Sequence, residues 1–313
     1  MSSAQSEAAL QADLLQLWKR LLQNDAITLD DDFFDMGGDS LLATELLAEL
    51  ERRSGRSIPE SMLFEASTVR KVMRRLLASA EIERKNVVEV GSGGNANPLF
   101  FFHGDWGDGG FYMKPLARTL TSIQPLVAVA PHGMAGEEMP ATLEEMARDR
   151  LREILAYRPH GPYHVGGHCV GGMVALETAR LLISKGHEVA FVAMIDPIWT
   201  AWGQPYPTLE GGSFSGTVEL PHPQNDSSEP VMFTLSEGPT ETWSRYAEAL
   251  EKYRPAPIPA PIMVFGSAYD GRPWQKISRT FMLFEHVGGH FDWITRRAPQ
   301  FAYHLHSYIS ARQ

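Results

Sequence analysis

A single cysteine in 313 residues leaves no internal disulfide framework and no cysteine-based metal cluster, the usage of a chain kept in a reducing compartment. Basic residues are in deficit, 28 Lys and Arg against 38 Asp and Glu, for a net charge of −10. That balance argues against a broad nucleic-acid footprint or an anionic membrane surface, both of which need clustered Lys and Arg. Long apolar runs are missing as well. Leu99 to Phe102 and Ala190 to Ile195 are of strand length, short of the ~18 residues a membrane span needs. The N-terminus, MSSAQSEAAL, lacks the basic and apolar segments of a secretory signal. Neither a phosphate-cradling lysine motif nor His and Glu at metal-ligand spacing occurs. The expectation is a cytoplasmic chain without nucleic-acid, membrane or metal chemistry. What is present, 43% hydrophobic and 10% aromatic residues, suits one large globular domain or two unequal ones.

The first 80 residues read as helices. Leu10, Leu14, Leu17, Trp18, Leu21 and Leu22 recur at helical spacing and stop before Asn24-Asp25. Leu41, Leu42, Leu46, Leu47 and Leu50 form a second apolar stripe behind Gly37-Gly38. A third helix, Val69 to Leu77, follows Ser67-Thr68, either of which suits a cap. The result is a small helical bundle over 1–80, followed by a charged linker, 81–86, that lacks core residues. From Val87 the texture changes: short apolar runs (Val87-Val90, Leu99-Phe102, Leu126-Ala130, Tyr163-Val165, Ala190-Ile195, Ile262-Phe265, Met282-His286) alternate with helical patterns such as Leu143 to Tyr157 and Gly172 to Ser184. Strands alternating with helices imply a parallel, doubly wound α/β sheet over 87–313. Residues 198–239 break that rhythm with Gly211-Gly212, Ser213, Ser215, Ser227, Ser228 and several prolines. A loop of that length in a compact domain is usually functional. It is expected to form a lid, with Trp199, Trp202, Tyr206 and Phe214 either lining a pocket or packing the lid itself.

Two stretches carry chemistry. The decamer Phe33 to Leu42, FFDMGGDSLL, sets Ser40 at a helix start behind a glycine turn. Asp and Ser there serve as N-caps, and a helix N-terminus also favours a phosphate. Gly37-Gly38 would let a modifying enzyme approach the backbone. The second stretch, Gly166-Gly167-His168-Cys169-Val170-Gly171-Gly172, lies between the strand Tyr163-Val165 and a helix. Strand, G-x-nucleophile-x-G and helix resemble the nucleophile elbow of α/β-hydrolases, with Cys where Ser is common. Lone cysteines are mostly small buried hydrophobes, but here the only one occupies the central position of the motif. A helix N-terminus and a nearby imidazolium would lower its pKa toward the thiolate.

Acid and base should follow the nucleophile in chain order. Of eleven histidines, only His290, in Gly288-Gly289-His290-Phe291, has both that order and a glycine-rich loop after the last strand. His168 is expected to line the pocket with its side chain turned away; His103, His164, His187 and His286 read as structural. Asp196, ending the strand Ala190-Ile195, and Asp270, in the turn Tyr269-Asp270-Gly271, both qualify as the acid. An oxyanion hole needs two backbone N–H groups. One should be Val170, just after the nucleophile, and the other should come from His103-Gly104-Asp105-Trp106-Gly107.

The decamer around Ser40 resembles the phosphopantetheine attachment motif of peptidyl carrier proteins, and the segment from Val87 to Gln313 resembles type I thioesterases of nonribosomal peptide synthetases. Together they resemble a C-terminal carrier–thioesterase didomain of cysteine type, as in monobactam-forming synthetases. The resemblance implies a four-helix carrier domain and an α/β-hydrolase domain with a lid. It implies 4'-phosphopantetheine on Ser40, loaded by a phosphopantetheinyl transferase and supplied with a peptidyl substrate by upstream synthetase modules. It selects Asp196, 27 residues after Cys169, as the acid, and Asp105 N–H as the second oxyanion donor. It implies a carrier that docks on the thioesterase, and the absence of adenylation and condensation motifs together with a starting Met suggests an excised didomain. Cysteine-type members are associated with release as four-membered rings, β-lactams or β-lactones. Cyclising release is therefore the expected activity, with hydrolytic release or editing as the alternative.

Overall fold

The computed structural model describes residues 3–78, 81–91, 96–104, 109–121, 123–134, 137–197, 240–266, 272–285 and 289–312. These fall into two compact units, one within the first 88 residues and one from Glu89 onward. The proposed lid, 198–239, with its four aromatics, lies outside the described residues, as do Asp105, Asp270 and His286.

Among the described residues, the first unit is built by four helices: α1 (Ser3–Leu21), α2 (Ser40–Ser54), α3 (Ser61–Glu65) and α4 (Val69–Leu77). Leu14, Leu17, Trp18, Leu46, Leu50 and Val72 bury their side chains together with Phe33, whose ring meets Trp18 edge-on at 5.8 Å. Thr68 caps α4 by accepting from Lys71 N–H, while Ser67 donates to Asp32. Asp39, not Ser40, caps α2: its carboxylate accepts from Leu42 N–H at 2.8 Å. Gly55 ends α2 in the left-handed region, φ 66°.

The second unit is a seven-stranded sheet: β1 (Val87–Gly91), β2 (Leu99–Phe102), β3 (Leu126–Val129), β4 (Tyr163–His168), β5 (Val189–Ile195), β6 (Ile262–Gly266) and β7 (Phe281–Glu285). Their order is β1-β3-β2-β4-β5-β6-β7, and all pairs from β3 to β7 are parallel. Between them run α5 (Lys114–Leu120), α6 (Leu143–Tyr157), α7 (Val170–Ser184), α8 (Thr240–Lys252), α9 (Arg272–Ile277) and α10 (Ala298–Ser310). β2 and β3 are buried along their whole length, the pattern of strands covered on both faces. Thr142 and Glu145 close a reciprocal capping box at the start of α6.

The order of the strands positions the site. After β2 the chain adds β3 on one side and then returns to lay β4 on the other. Such a reversal opens a crevice at the C-terminal ends of β2 and β4, where doubly wound sheets bind ligands. Phe102 and His168 end those two strands, so the segments His103-Gly104 and Cys169-Val170 leave the sheet side by side.

Candidate active site

Cys169 occupies the single residue between β4 and α7, with φ 58° and ψ −128°. A non-glycine residue held there stores on the order of 1–3 kcal/mol of strain, tolerated because its surroundings over-determine it. Two constraints do so. Cys169 N–H donates to Ile195 O at 3.0 Å, extending the β4–β5 ladder one residue past the strand. Gly171 crosses β2 so closely that a Cβ there would lie 2.2 Å from Phe102 O. The loop after β2 approaches from the other side: a Cβ on Gly104 would sit 3.0 Å from that of Cys169. Glycine at 104 and 171 is therefore a steric requirement of the elbow.

Asp196 leaves β5 in the same manner. Its backbone, φ 40°, is pinned by donation from its N–H to Phe265 O at 2.8 Å. The carboxylate is 4% exposed and stands 3.8 Å from His290 Nδ1. That is ion-pair range but longer than a hydrogen bond, the loose spacing often found before substrate tightens such contacts. Asp196 also acts on the Cys169 thiol through its charge. His290, which keeps a quarter of its side chain exposed, comes from the loop after β7, closed by Gly289 N–H donating to Asp292 at 3.1 Å.

Electrostatics corrects one expectation. The thiol does not ionise readily: burial pushes it up to about 12, outweighing donation by Val170 N–H, and the Asp196 charge acts in the same direction. Burial also moves His290 down to about 4. Before substrate arrives, both groups are neutral at pH 7, a thiol and an imidazole instead of a thiolate–imidazolium pair. Desolvation disfavours both charged forms, and in this pocket it exceeds what the helix N-terminus gives back.

His168 departs from expectation too. It is 2% exposed, and its Nδ1 lies 3.1 Å from Tyr112 Oη while its Nε2 lies 3.1 Å from the backbone oxygen of His290. Its ring is enclosed instead of lining an open pocket. Nothing in the spacing of the elbow singles out this contact, because both partners come from distant segments. Val170 begins α7 with its N–H donating to the Cys169 sulfur.

In the helical unit, Ser40 opens α2 and is 3% exposed, while the next residue, Leu41, is 72% exposed. The free N–H groups at the start of a 15-residue helix suit a phosphodiester on its oxygen. Gly38 is required sterically: a Cβ there would fall 2.3 Å from the ring of Phe33.

Comparison with known proteins agrees with both units. Residues 97–309 match the thioesterase domain family and residues 12–76 match the phosphopantetheine attachment site. The chain belongs to the thioesterase domain family: it is an α/β-hydrolase-fold thioesterase with a helical carrier unit. The carrier unit bears 4'-phosphopantetheine covalently on a serine.

Indigoidine synthase of Dickeya dadantii (strain 3937) is 32% identical over 191 residues, which are 60% of this chain and 13% of that protein. The dimodular nonribosomal peptide synthase of Bacillus subtilis (strain 168) is 32% identical over 185 residues, 58% of this chain and 8% of that protein. This chain thus spans a small part of the curated relatives it matches. A four-domain nonribosomal peptide synthetase solved with AMP and glycine superposes with TM-score 0.57 at 21% identity, over 95% of this chain and 26% of that one. That likeness speaks to fold.

Proposed function

We propose that this didomain releases a peptide from a nonribosomal peptide synthetase, taking the acyl group onto Cys169 and discharging it by attack of a nucleophile within the substrate. The observation that carries this reading is the placement of the chain's one thiol on the strained turn between β4 and α7, beside the Asp196–His290 pair. Peptide synthetases among the relatives support the synthetase context, with upstream modules and a phosphopantetheinyl transferase as partners. Ser40 is the serine the proposal assigns to the arm, which presents the acyl group as a thioester.

With a neutral pair at the start, His290 acts as general base. Its Nδ1 faces Asp196, so Nε2 takes the Sγ proton as the sulfur attacks the carbonyl carbon. Asp196 stabilises the imidazolium that forms. Val170 N–H, and the N–H of Asp105 in this proposal, hold the developing oxyanion. Loss of one such donor typically costs ~10²–10³ in rate. The carbon–sulfur bond to the pantetheine arm breaks, and His290 gives the proton to that leaving sulfur. In the second half His290 removes a proton from an amide or hydroxyl of the bound chain. That atom attacks the acyl carbon, the bond to Sγ breaks, and Sγ regains its proton.

Cysteine suits this outcome. A serine would turn the thioester into a less activated oxoester, whereas Cys169 makes another thioester, nearly isoenergetic with the first. Activation is thus retained for a product that is an amide or a strained small ring, a β-lactam or β-lactone. Positioning within the substrate supplies effective molarities of up to ~10⁵–10⁸ M.

The test is mass spectrometry of the full chain loaded on Ser40 with an acyl-pantetheine mimic. An acyl adduct should appear on Cys169, and the product should be lighter than the free acid by one water. A product at the mass of the free acid would establish hydrolysis instead. No adduct on Cys169 would remove the nucleophile from the proposal.

A further inference from the structure

We infer that His168 is a positioning residue: together with Tyr112 it fixes the loop that carries His290, and it does so as a neutral imidazole with its proton on Nε2. The inference rests on the proposed role of His290 as base to Cys169. Two of three hydrogen-bond directions are fixed by chemistry and place a proton on Nε2, and a neutral ring completes the third. Gly104 N–H donates to Tyr112 Oη at 3.2 Å, since a peptide N–H cannot accept. His168 Nε2 faces the backbone oxygen of His290, which can only accept, so Nε2 carries the proton. A neutral ring then offers Nδ1 as an acceptor, and Tyr112 Oη–H donates to it. The chain of donors runs one way, from the loop after β2 through Tyr112 and His168 to the loop after β7. Burial, which holds His168 well below the ordinary histidine range, agrees with a neutral ring.

Packing brings the same residues together. The rings of His168 and His290 lie 4.3 Å apart between centroids. Phe291 packs at 5.1 Å from His168 and 5.4 Å from Tyr112. His168 precedes Cys169 in the elbow, so a shift of the nucleophile is transmitted to the backbone of the base through one covalent step and one hydrogen bond. A displacement of about 1 Å in such a constellation can cost ~10²-fold in rate. Seating the acid–base loop on the elbow itself keeps nucleophile and base in register.

Two measurements on the full chain test this. Long-range proton–nitrogen NMR at pH 7.5, with the His168 signals assigned by their loss in His168→Gln, should show the Nε2–H tautomer; the Nδ1–H tautomer or a doubly protonated ring would overturn the inference. Cys169 is the only cysteine, so the rate of iodoacetamide alkylation is followed at its own peptide by mass spectrometry, apart from the more exposed thiol of the pantetheine arm. His290→Ala sets the floor for alkylation without the base. His168→Leu should fall at least tenfold, toward that floor, and His168→Gln, which keeps a donor near the Nε2 position, should recover to within about threefold of the parent. Leu and Gln variants that react equally slowly, or a Leu variant as fast as the parent or faster, would refute positioning. If His168→Leu does not fold, His168→Asn, which lacks the donor toward His290, takes its place against His168→Gln. Should His290→Ala alkylate as fast as the parent, the base assignment fails, and the tautomer measurement still decides the hydrogen-bond chain.

Discussion

At the scale of single residues, desolvation sets the protonation of the site. Ordinary histidine titrates near 6.5, and burial brings His290 down to about 4. The base form, which the attack requires, is then already present throughout the range from pH 5 upward. Acylation of Cys169 by a thioester mimic should accordingly stay level from about pH 5 to pH 8 and decline only as the pH approaches 4. A profile that halves near 6.5 would mean that His290 is solvated in the working enzyme. On the alkaline side the thiol, pushed up to about 12, adds no ionisation step below pH 9. Cys169→Ser tests the other half of the chemistry. Acyl transfer to the hydroxyl forms an oxoester, so the variant should acylate yet release cyclic product at least tenfold more slowly, with adduct accumulating in intact-protein mass spectra. Asp196→Asn leaves the shape of the side chain but removes the charge that supports imidazolium. We expect kcat for acyl transfer to drop by ~10²–10⁴, the range typical of general acid–base catalysis, with the unfolding temperature little changed.

At the scale of elements, the glycines of the elbow separate two kinds of constraint. A Cβ at Gly171 would meet backbone oxygen at 2.2 Å, with no flexible side chain able to yield. Gly186, just beyond α7, has φ 84°, and a Cβ there would find nothing within 4 Å. Gly186→Ala should cost about 1 kcal/mol from its left-handed backbone alone and leave acylation intact. Gly171→Ala should separate β2 from α7 and abolish the Cys169 adduct; chemical denaturation and adduct mass together distinguish the two. The same elements show what could be read beforehand. The seven strands were legible because each is a short apolar run flanked by turn residues, and α6 and α7 because their apolar stripes are unbroken. The short helices α3, α5 and α9 were not read from their pattern, and neither were the longer α8 and α10. Along α8 and the residue just after it, the buried positions Thr242, Tyr246, Ala249, Leu250 and Tyr253 follow helical spacing, yet three of the five carry hydroxyls. In α10, Phe301, Ala302, Leu305 and Tyr308 face the core among three polar histidine and serine neighbours, His304, His306 and Ser307. Nucleophile, base and acid candidates were legible because motif and chain order constrain them. The thiol's protonation state and the role of His168 depend on burial and on contacts between segments distant in sequence.

At the scale of the whole molecule, the histidines are unevenly shared along the chain: all eleven lie beyond residue 102, and the segment of the four carrier helices has none. Burial lowers His132 and His164 to about 4. His132 keeps that direction although Asp149 faces it at 3.0 Å, because burial outweighs the nearby carboxylates and the Arg150 charge opposes its protonation. His164 accepts from Gln124 and lies under the influence of Arg158, which also opposes its charging. Between pH 6.5 and 4 the unfolded chain binds protons that these folded rings refuse, so stability falls as the pH falls through that window. Each such ring costs about 2 kcal/mol on going from pH 8 to pH 5. For a domain of this size two of them lower the unfolding temperature by roughly 10 °C. In the helical unit the displaced groups are carboxylates: Arg52 and Arg53 hold Glu49 down to about 2, and Arg70 lowers Asp30. Any stability they contribute is present above their unfolded values near 4 and is lost only below that. Thermal unfolding followed by the separate NMR resonances of the two units should therefore show the thioesterase unit losing stability between pH 8 and pH 5 while the carrier unit holds. Equal losses in both would show that these histidines are not what makes the protein acid-sensitive.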